Sequence, residues 1–302
     1  MPDYNLMALA LAVSAAVAGM VLLAAAWPWR KPHRPRLRLG WVFGLGAGIY
    51  AGCLVLGQWP RWPAPEDRDR LLVILLPATL AVESAAACLA RPFWLPWMFR
   101  LGLAGTAAPI LLHHSVYLTD LAGPHSAEWS PLQAAAILGG LAVLLAAVWA
   151  LMALLEVRAS VHSAAPAVVL ASLAATVVVM LSGYYRGGLM GLPVAGAVAG
   201  AAVASFAAPS ERGASFLGVA VVGLFSVLVI GRYFGSLRPD LGLCLLLAPL
   251  LAWVGEAPGV RKLWPIPRAA VRLALVAVPL VLIVAYAMIR FAADSAAHYE
   301  DL

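Results

Sequence analysis

The sequence predicts an all-α fold: a polytopic integral membrane bundle of about ten transmembrane helices. Hydrophobic residues make up 64% of the 302 residues and charged residues 11%, whereas soluble domains average about 45–50% and about 25%. The mean hydropathy is +0.92. Apolar segments follow one another almost from end to end, and no connection is long enough for a separate globular unit. Residues 1–302 are therefore predicted to form a single transmembrane domain covered by the lipid bilayer.

The first apolar run, residues 6–26, is predicted to be a retained helix. A signal peptide has a positive amino-terminal region and an apolar stretch of about 7–15 residues. Here Asp3 is the only charged side chain before the run, and the run is longer than that stretch.

Nine further apolar segments follow, and a bilayer core needs about 20 residues per helix. The ninth helix is short, and together with the seventh it is the least regular, so eight to ten spans fit the sequence. The predicted spans are 5–27, 39–59, 71–90, 101–119, 131–156, 165–184, 189–208, 214–234, 240–255 and 269–292.

Proline and tryptophan mark the predicted boundaries. Connections such as Pro63-Ala64-Pro65 and Pro265-Ile266-Pro267 contain prolines, which end helices by removing a backbone donor. Ten of the eleven tryptophans lie near a predicted boundary, where amphipathic rings favour the headgroup region. Trp149 alone is predicted deep inside a span.

The distribution of Lys and Arg predicts the orientation in a cell membrane. If the first connection is cytoplasmic, thirteen of the twenty basic residues lie on the cytoplasmic side and seven on the opposite side. This bias follows the positive-inside rule and places both termini outside the cytoplasm. The first connection carries the densest basic cluster: Arg30, Lys31, Arg34, Arg36 and Arg38.

A weak internal repeat with an offset of 170 residues is a further expectation. The offset spans six helices, so helices 1–4 and 7–10 would be parallel copies, as in some transporters. Chance matches in a Leu/Ala/Pro-rich sequence are the alternative. At this offset Arg91–Trp94 aligns with Arg261–Trp264, and Pro109 aligns with Pro279. Glu83 aligns with Glu256 when small gaps are allowed.

Glycines at a spacing of four predict close helix packing on helices 2 and 7. This spacing places them on one helix face, where missing side chains let another backbone approach. The stretch Gly44–Gly48 is not a nucleotide-binding loop, because it lies inside an apolar span with no preceding strand. The predicted packing residues are Gly40, Gly44, Gly48 and Gly52 on helix 2, and Gly196 and Gly200 on helix 7.

Glu83 is the most informative candidate for substrate or ion binding. It is predicted about seven residues from the inner end of helix 3, or ~10 Å deep at about 1.5 Å per residue. An acid at this depth must be protonated, paired or hydrated. Two interpretations stay open: a proton or cation site, or a structural carboxyl group paired with Arg91, Arg100 or a polar group of a neighbouring helix.

His113 and His114, predicted on helix 4, are further candidates as polar lining of an outward cavity. Adjacent helical positions diverge by about 100°, so the two rings cannot chelate one metal ion together. A packing role is the alternative for both.

Arg186 lies in the most distinctive turn of the sequence, residues 182–188, which contains three glycines and two tyrosines. It is a candidate for binding an anionic group or a lipid headgroup; the alternative is an interfacial turn anchored by the tyrosines. The charged segments 66–70 and 232–240 are predicted to be solvated turns.

The sequence contains no motif that fixes a reaction, so we expect no catalytic residue, no metal and no cofactor. Cys53, Cys88 and Cys244 lie in apolar segments without a CxxC spacing. Paired-Asp, HExxH, Gly-x-Ser-x-Gly and Walker motifs are absent from the sequence. The net charge of +6 is attributed to membrane boundaries rather than to nucleic acid, since no recognition module is present.

The leading functional expectation is a transporter or permease-like protein for a small solute, based on the helix number, the glycine faces and the intramembrane acid. The alternative is a non-catalytic membrane subunit or scaffold that packs against other membrane subunits or a second copy of the chain. An intramembrane enzyme acting on lipid has the least support, because no nucleophile, acid pair or metal set converges. A water-accessible cavity containing Glu83 would favour transport.

Overall fold

A computed structural model of the chain describes residues 3–26, 34–89, 94–119, 128–158, 161–207 and 216–300, and every regular element in these ranges is helical. We label the helices in chain order. They are α1 Tyr4–Ala25, α2 Arg34–Val55, α3 Asp67–Cys88, α4 Trp94–Leu111, α5 Pro131–Arg158, α6 Val161–Leu181, α7 Tyr185–Ala204, α8 Phe216–Tyr233, α9 Pro239–Glu256 and α10 Pro265–Glu300, with one short turn, Pro258–Arg261, before α10.

Eight helices of the described ranges are long and apolar enough to cross a membrane: α1, α2, α3, α5, α6, α7, α9 and α10. They fit a multi-pass membrane protein, and their number is the lower limit of the predicted eight to ten. The apolar part of α8, Leu217–Tyr233, is shorter. The count of ten and the orientation of the termini stay predictions.

Helix α4 corrects the predicted span 101–119, because it begins seven residues earlier and ends at Leu111. Pro96 is tolerated in its first turn, where the backbone N–H groups have no helical partner. Beyond Leu111 the chain continues in turns, and His114 has a positive φ of 55°. Arg100, predicted at a boundary, therefore lies inside the helix, while His113 and His114 lie past its end.

Helix α8 is the centre of the bundle. Every residue from Leu217 to Gly231 is buried. Helix α8 contacts α2 to α7 and α9. A helix that is apolar on all sides is typical of a position surrounded by protein.

Helix α1 lies between α2 and α7, and the predicted glycine faces of both helices lie against it. A methyl group added at Gly48 would come within 2.6 Å of the Ser14 carbonyl oxygen, and one at Gly200 within 2.0 Å of the Ala15 carbonyl oxygen. The backbones are therefore too close for any side chain at these points. The remaining four glycines face the same helix: Gly40 at Ala25, Gly44 at Ala18, Gly52 at Ser14 and Gly196 at Leu11.

Three helices depart from regular α geometry. Helix α3 contains a π segment, Leu71–Leu75, and the Tyr50 hydroxyl of α2 donates a hydrogen bond to the Leu72 carbonyl there. Helix α7 is broken between Tyr185–Gly188 and Gly191–Ala204, and α9 changes to a 3₁₀ helix over Ala248–Glu256. Such interruptions are tolerated at membrane depth where protein or a cavity covers the backbone.

Polar contacts gather at the two ends of the bundle. We call one the cavity end, where the loops after α2, α4, α6 and α8 meet; Arg70 there donates to the Leu111 carbonyl at 3.1 Å. We call the other the ion-pair end, defined by Glu83, Arg100, Glu256, Arg268 and Arg272. Arg30 and Lys31 of the predicted basic cluster lie outside the described residues.

Wide apolar surfaces remain exposed, as expected for helices facing lipid. They are broadest on α5 and α10, which carry the smallest buried shares of the span candidates. Exposed side chains on α10 include Leu273, Leu275, Val278, Val281, Leu282, Met288, Ile289 and Phe291.

The internal repeat stays a prediction. Pro109 and Pro279 both lie inside helices, α4 and α10. Glu83 and Glu256 each bind arginine from the helix that follows them. Residues 91–93 of the first Arg-Trp turn lie outside the described residues.

Candidate functional site

The carboxyl end of α2 places Gln58 at the cavity end. Gly57 has a positive φ of 69°, which glycine adopts without strain, and the Gln58 N–H returns to the Cys53 carbonyl at 2.9 Å. This closure turns the Gln58 side chain inward, where it is only 8% exposed. Its Nε2 donates to the Arg186 carbonyl at 3.3 Å, and its buried Oε1 accepts no hydrogen bond from any residue that the structure describes.

The loop after Gln58 is fixed by the first turn of α3. Arg70 donates to the Pro65 carbonyl at 2.7 Å, and Asp69 accepts from the Arg61 N–H at 3.3 Å. Asp67, Asp69 and Arg70 are 5%, 7% and 6% exposed. The sequence predicted this segment as a solvated charged turn; that is corrected here, because these side chains hold two loops together in the interior.

Tyr184 joins the loop after α6 to α3. Its hydroxyl donates to the Asp67 carboxylate at 2.9 and 3.2 Å. Burial, followed by the neighbouring Asp67, raises the pKa of Tyr184 to about 12. The Tyr184 hydroxyl therefore stays protonated, and able to donate a hydrogen bond, throughout the physiological pH range.

A cavity of about 500 Å³ lies among these segments, within the ~300–1,000 Å³ range of small-molecule sites. Apolar side chains, including Leu56 and Leu72, form part of its wall. Its charged and amide lining comes from α1, the loop after α2, the start of α3 and the start of α7. These polar residues are Asp3, Gln58, Arg61, Glu66, Arg68, Asp69 and Arg186.

The charged side chains of this lining differ in whether another part of the protein already binds them. Arg68 and Glu66 form an ion pair, and Asp3 caps α1 by accepting from the N–H groups of residues 5 and 6. The guanidinium groups of Arg61 and Arg186 are exposed and bind no acid among the described residues. Two cationic groups are thus available to a ligand.

Both irregular helices at this end contribute to the cavity wall. Leu72 belongs to the π segment of α3, and Leu189 lies in the break of α7. π segments are frequent at functional sites, and discontinuous helices form the binding sites of many transporters.

Glu83 lies 16 residues beyond Asp67 on α3, ~24 Å along the helix axis. It is fully buried and does not line this cavity. Arg100 binds it through two parallel hydrogen bonds of 2.9 and 2.6 Å, and the Trp149 indole donates to it at 3.0 Å. The carboxylate thus joins α3, α4 and α5, and Gly218 of α8 lies directly against it.

A second, partly buried group of ion pairs occupies the same end. Glu256 accepts from Arg268 at 2.6 Å and from Arg272 at 2.8 Å. Arg268 also donates to the Gly255 carbonyl at 2.9 Å. These contacts fix the end of α9 to the first turns of α10.

The predicted site residues are therefore separated. Arg186 lines the cavity, whereas Glu83 lies at the other end of the bundle. His113 and His114 are exposed in the turn after α4, with ring centroids 4.1 Å apart. Among the residues that the structure describes, no group of three or more His, Cys, Asp or Glu side chains is placed to hold a metal ion.

Sequence reasoning missed most of the polar lining of the cavity, including Arg61, and one partner of Glu83. Gln58 and Asp69 line the cavity, and Trp149 binds Glu83. Trp149 carried a signal, because it is the one tryptophan predicted away from a boundary. Gln58 carried a weaker signal, since it is a polar side chain next to a glycine near the end of predicted helix 2.

No protein-family model, no curated protein and no solved structure matches the chain.

Proposed function

We propose that this protein is a permease-like transporter that admits a small polar solute through the cavity at the cavity end. The observation that carries the proposal is the cavity itself, which has a volume of about 500 Å³ and is lined by Gln58 and by charged side chains of both signs. A cavity of this size with charged side chains of both signs fits a small polar solute.

The helices around the cavity support this proposal. The π segment of α3 and the break of α7 adjoin the cavity and interrupt helices that otherwise cross the bundle. Interrupted helices free backbone groups for a ligand and provide points about which a helix can bend.

Glu83 has a structural role in this proposal. Arg100 compensates its charge through a bidentate contact, and Trp149 satisfies one of the same oxygens. A carboxylate held in this way is a poor proton carrier, because releasing Arg100 would leave a buried unpaired charge.

A non-catalytic membrane subunit is the second candidate, and the exposed apolar faces of α5 and α10 favour it. Such faces fit a partner helix as well as lipid. In that case the cavity would carry no solute, and changing its charges would leave the activity of the assembly unchanged.

Solute uptake into proteoliposomes tests the proposal. The external solution contains free amino acids, small organic acids and phosphorylated alcohols, and mass spectrometry identifies what enters. We expect at least one solute to accumulate above protein-free liposomes, and Arg186→Gln to lower its uptake roughly tenfold, since a hydrogen bond to a charged group contributes about 1.5–3 kcal/mol.

Arg261→Gln is the matched control, because Arg261 is exposed in the turn at the ion-pair end, away from the cavity. Its uptake should equal that of the unchanged protein. Equal uptake by both variants, or no accumulation of any solute, would reject the permease and favour the subunit.

A further inference from the structure

We propose that the cavity recognises a small zwitterion: an anionic carboxylate or phosphate group with an N–H-bearing ammonium group a few ångströms away. This inference rests on the proposed function and names the chemical class of its ligand.

The anionic half of the ligand would lie against Arg61 and Arg186. These two cations enter the cavity from different loops, and neither guanidinium binds an acid among the described residues. Arg68, the third arginine of the lining, is already paired with Glu66. Planar guanidinium groups bind carboxylate and phosphate oxygens through paired hydrogen bonds.

The cationic half would lie against oxygen acceptors of the same cavity. Gln58 contributes an amide to this wall, and no described residue donates a hydrogen bond to its buried Oε1. Asp69 also lines the cavity, and its only bond from another described residue is the Arg61 N–H, on one oxygen. A ligand ammonium group would donate an N–H to the second oxygen of Asp69.

The formal charges of the lining favour a zwitterion over a simple anion. Three arginines and three acids cancel: Arg61, Arg68 and Arg186 against Asp3, Glu66 and Asp69. A ligand of net charge would leave one side of this balance uncompensated in a partly desolvated site. Free amino acids and short peptides have the required chemistry, and so does the phosphoethanolamine headgroup of a lipid.

Isothermal titration calorimetry and thermal unfolding of the purified full-length protein in detergent test the ligand class. The zwitterion probes are glycine, serine and glycylglycine, and the single-charge probes are acetate and ethanolamine. Glycine betaine keeps both charges but has no N–H group. Nanodiscs of phosphatidylethanolamine or phosphatidylcholine test the lipid source with and without N–H donors.

We expect a zwitterion with N–H donors to bind at least tenfold more tightly than acetate, ethanolamine or betaine, and to raise the melting temperature. Stabilisation only in phosphatidylethanolamine nanodiscs would assign the same chemistry to a lipid headgroup. Arg61→Gln and Arg186→Gln should each weaken binding about tenfold. Both side chains are exposed, so the unliganded melting temperature checks that each variant folds.

Acetate binding that depends on Arg186 and equals glycine binding would overturn the zwitterion assignment and leave the solute site intact. Betaine binding as tightly as glycine would also overturn it, because no N–H donor would be needed. Absence of binding by every probe, in detergent and in nanodiscs, would overturn both the inference and the solute site.

Discussion

A carboxylate in an apolar bundle needs a partner, because an unpaired charge there is expensive. Glu83 meets this need with Arg100 and the Trp149 indole, and Glu256 meets it with two arginines of α10. Both acids join neighbouring helices within the bundle. At the scale of residues, both acids at the ion-pair end are paired with arginine, whereas Arg61 and Arg186 at the cavity end bind no acid among the described residues.

The Glu83–Arg100 pair gives a prediction at this scale. Glu83→Gln and Arg100→Gln should each lower the free energy of unfolding by about 3–5 kcal/mol, because each leaves its partner's charge buried. The double variant Glu83→Gln/Arg100→Gln should lose clearly less than the sum of the two. Unfolding in mixed micelles measures all three, and uptake per folded molecule should stay unchanged.

The exposed pair of Arg238 and Asp240 provides the control, and Asp240→Asn should have a much smaller effect. Additive losses in the double variant would show that Glu83 and Arg100 are not coupled. Loss of uptake by folded Glu83→Gln protein would assign Glu83 to the transport mechanism.

At the scale of elements, three helices form a tightly packed group. Helix α1 contacts α2 and α7 at the points where glycine removes the side chain. The spacing of four along each sequence predicted that both helices carry a packing face. It could not identify the partner, because a glycine face fits any smooth helix surface, and α1 is defined as the partner only by the fold.

Gly200→Ala is predicted to destabilise the protein by about 1–3 kcal/mol, because the added methyl group would come within 2.0 Å of the Ala15 carbonyl oxygen. Gly105→Ala is the matched control on α4, where no atom lies within 4 Å of the added group. That variant should be neutral or slightly more stable, since glycine is unfavourable inside helices. Equal melting temperatures for the two variants would contradict the close approach of α1 and α7.

The helix boundaries show how far sequence reasoning reaches at this scale. Most spans were predicted within a few residues, because runs of apolar residues set the length of a membrane helix. Helix α4 was misplaced because Trp94, Pro96 and Trp97 are typical of an interface, yet here they begin a helix. This shift placed Arg100 at a boundary in the prediction, although Arg100 was already one of the partners predicted for Glu83.

At the scale of the whole molecule, the two ends of the bundle have different chemistry. The ion-pair end is held by salt bridges, and the cavity end holds a polar space next to interrupted helices. This difference agrees with the proposed entry of solute at the cavity end. Arg186 was a candidate from sequence because of its glycine-rich turn, but its neighbours Gln58 and Arg61 come from another loop, and only folding brings these loops together.

Blocking the cavity tests the central claim, that solute enters through it, most directly. Trp59 lines the cavity and is 67% exposed, whereas Val116 is 63% exposed in the turn after α4 and does not line it. Each is replaced by cysteine in a background without Cys53, Cys88 and Cys244. Both variants are then labelled with a bulky, membrane-impermeant maleimide, and solute uptake is measured.

Both positions should be labelled from the same side of the membrane, because both loops lie at the cavity end. Modification at position 59 should abolish uptake, and modification at position 116 should leave it intact. Full uptake after complete labelling at position 59 would contradict the account, since solute would then cross the protein without passing through the charged cavity.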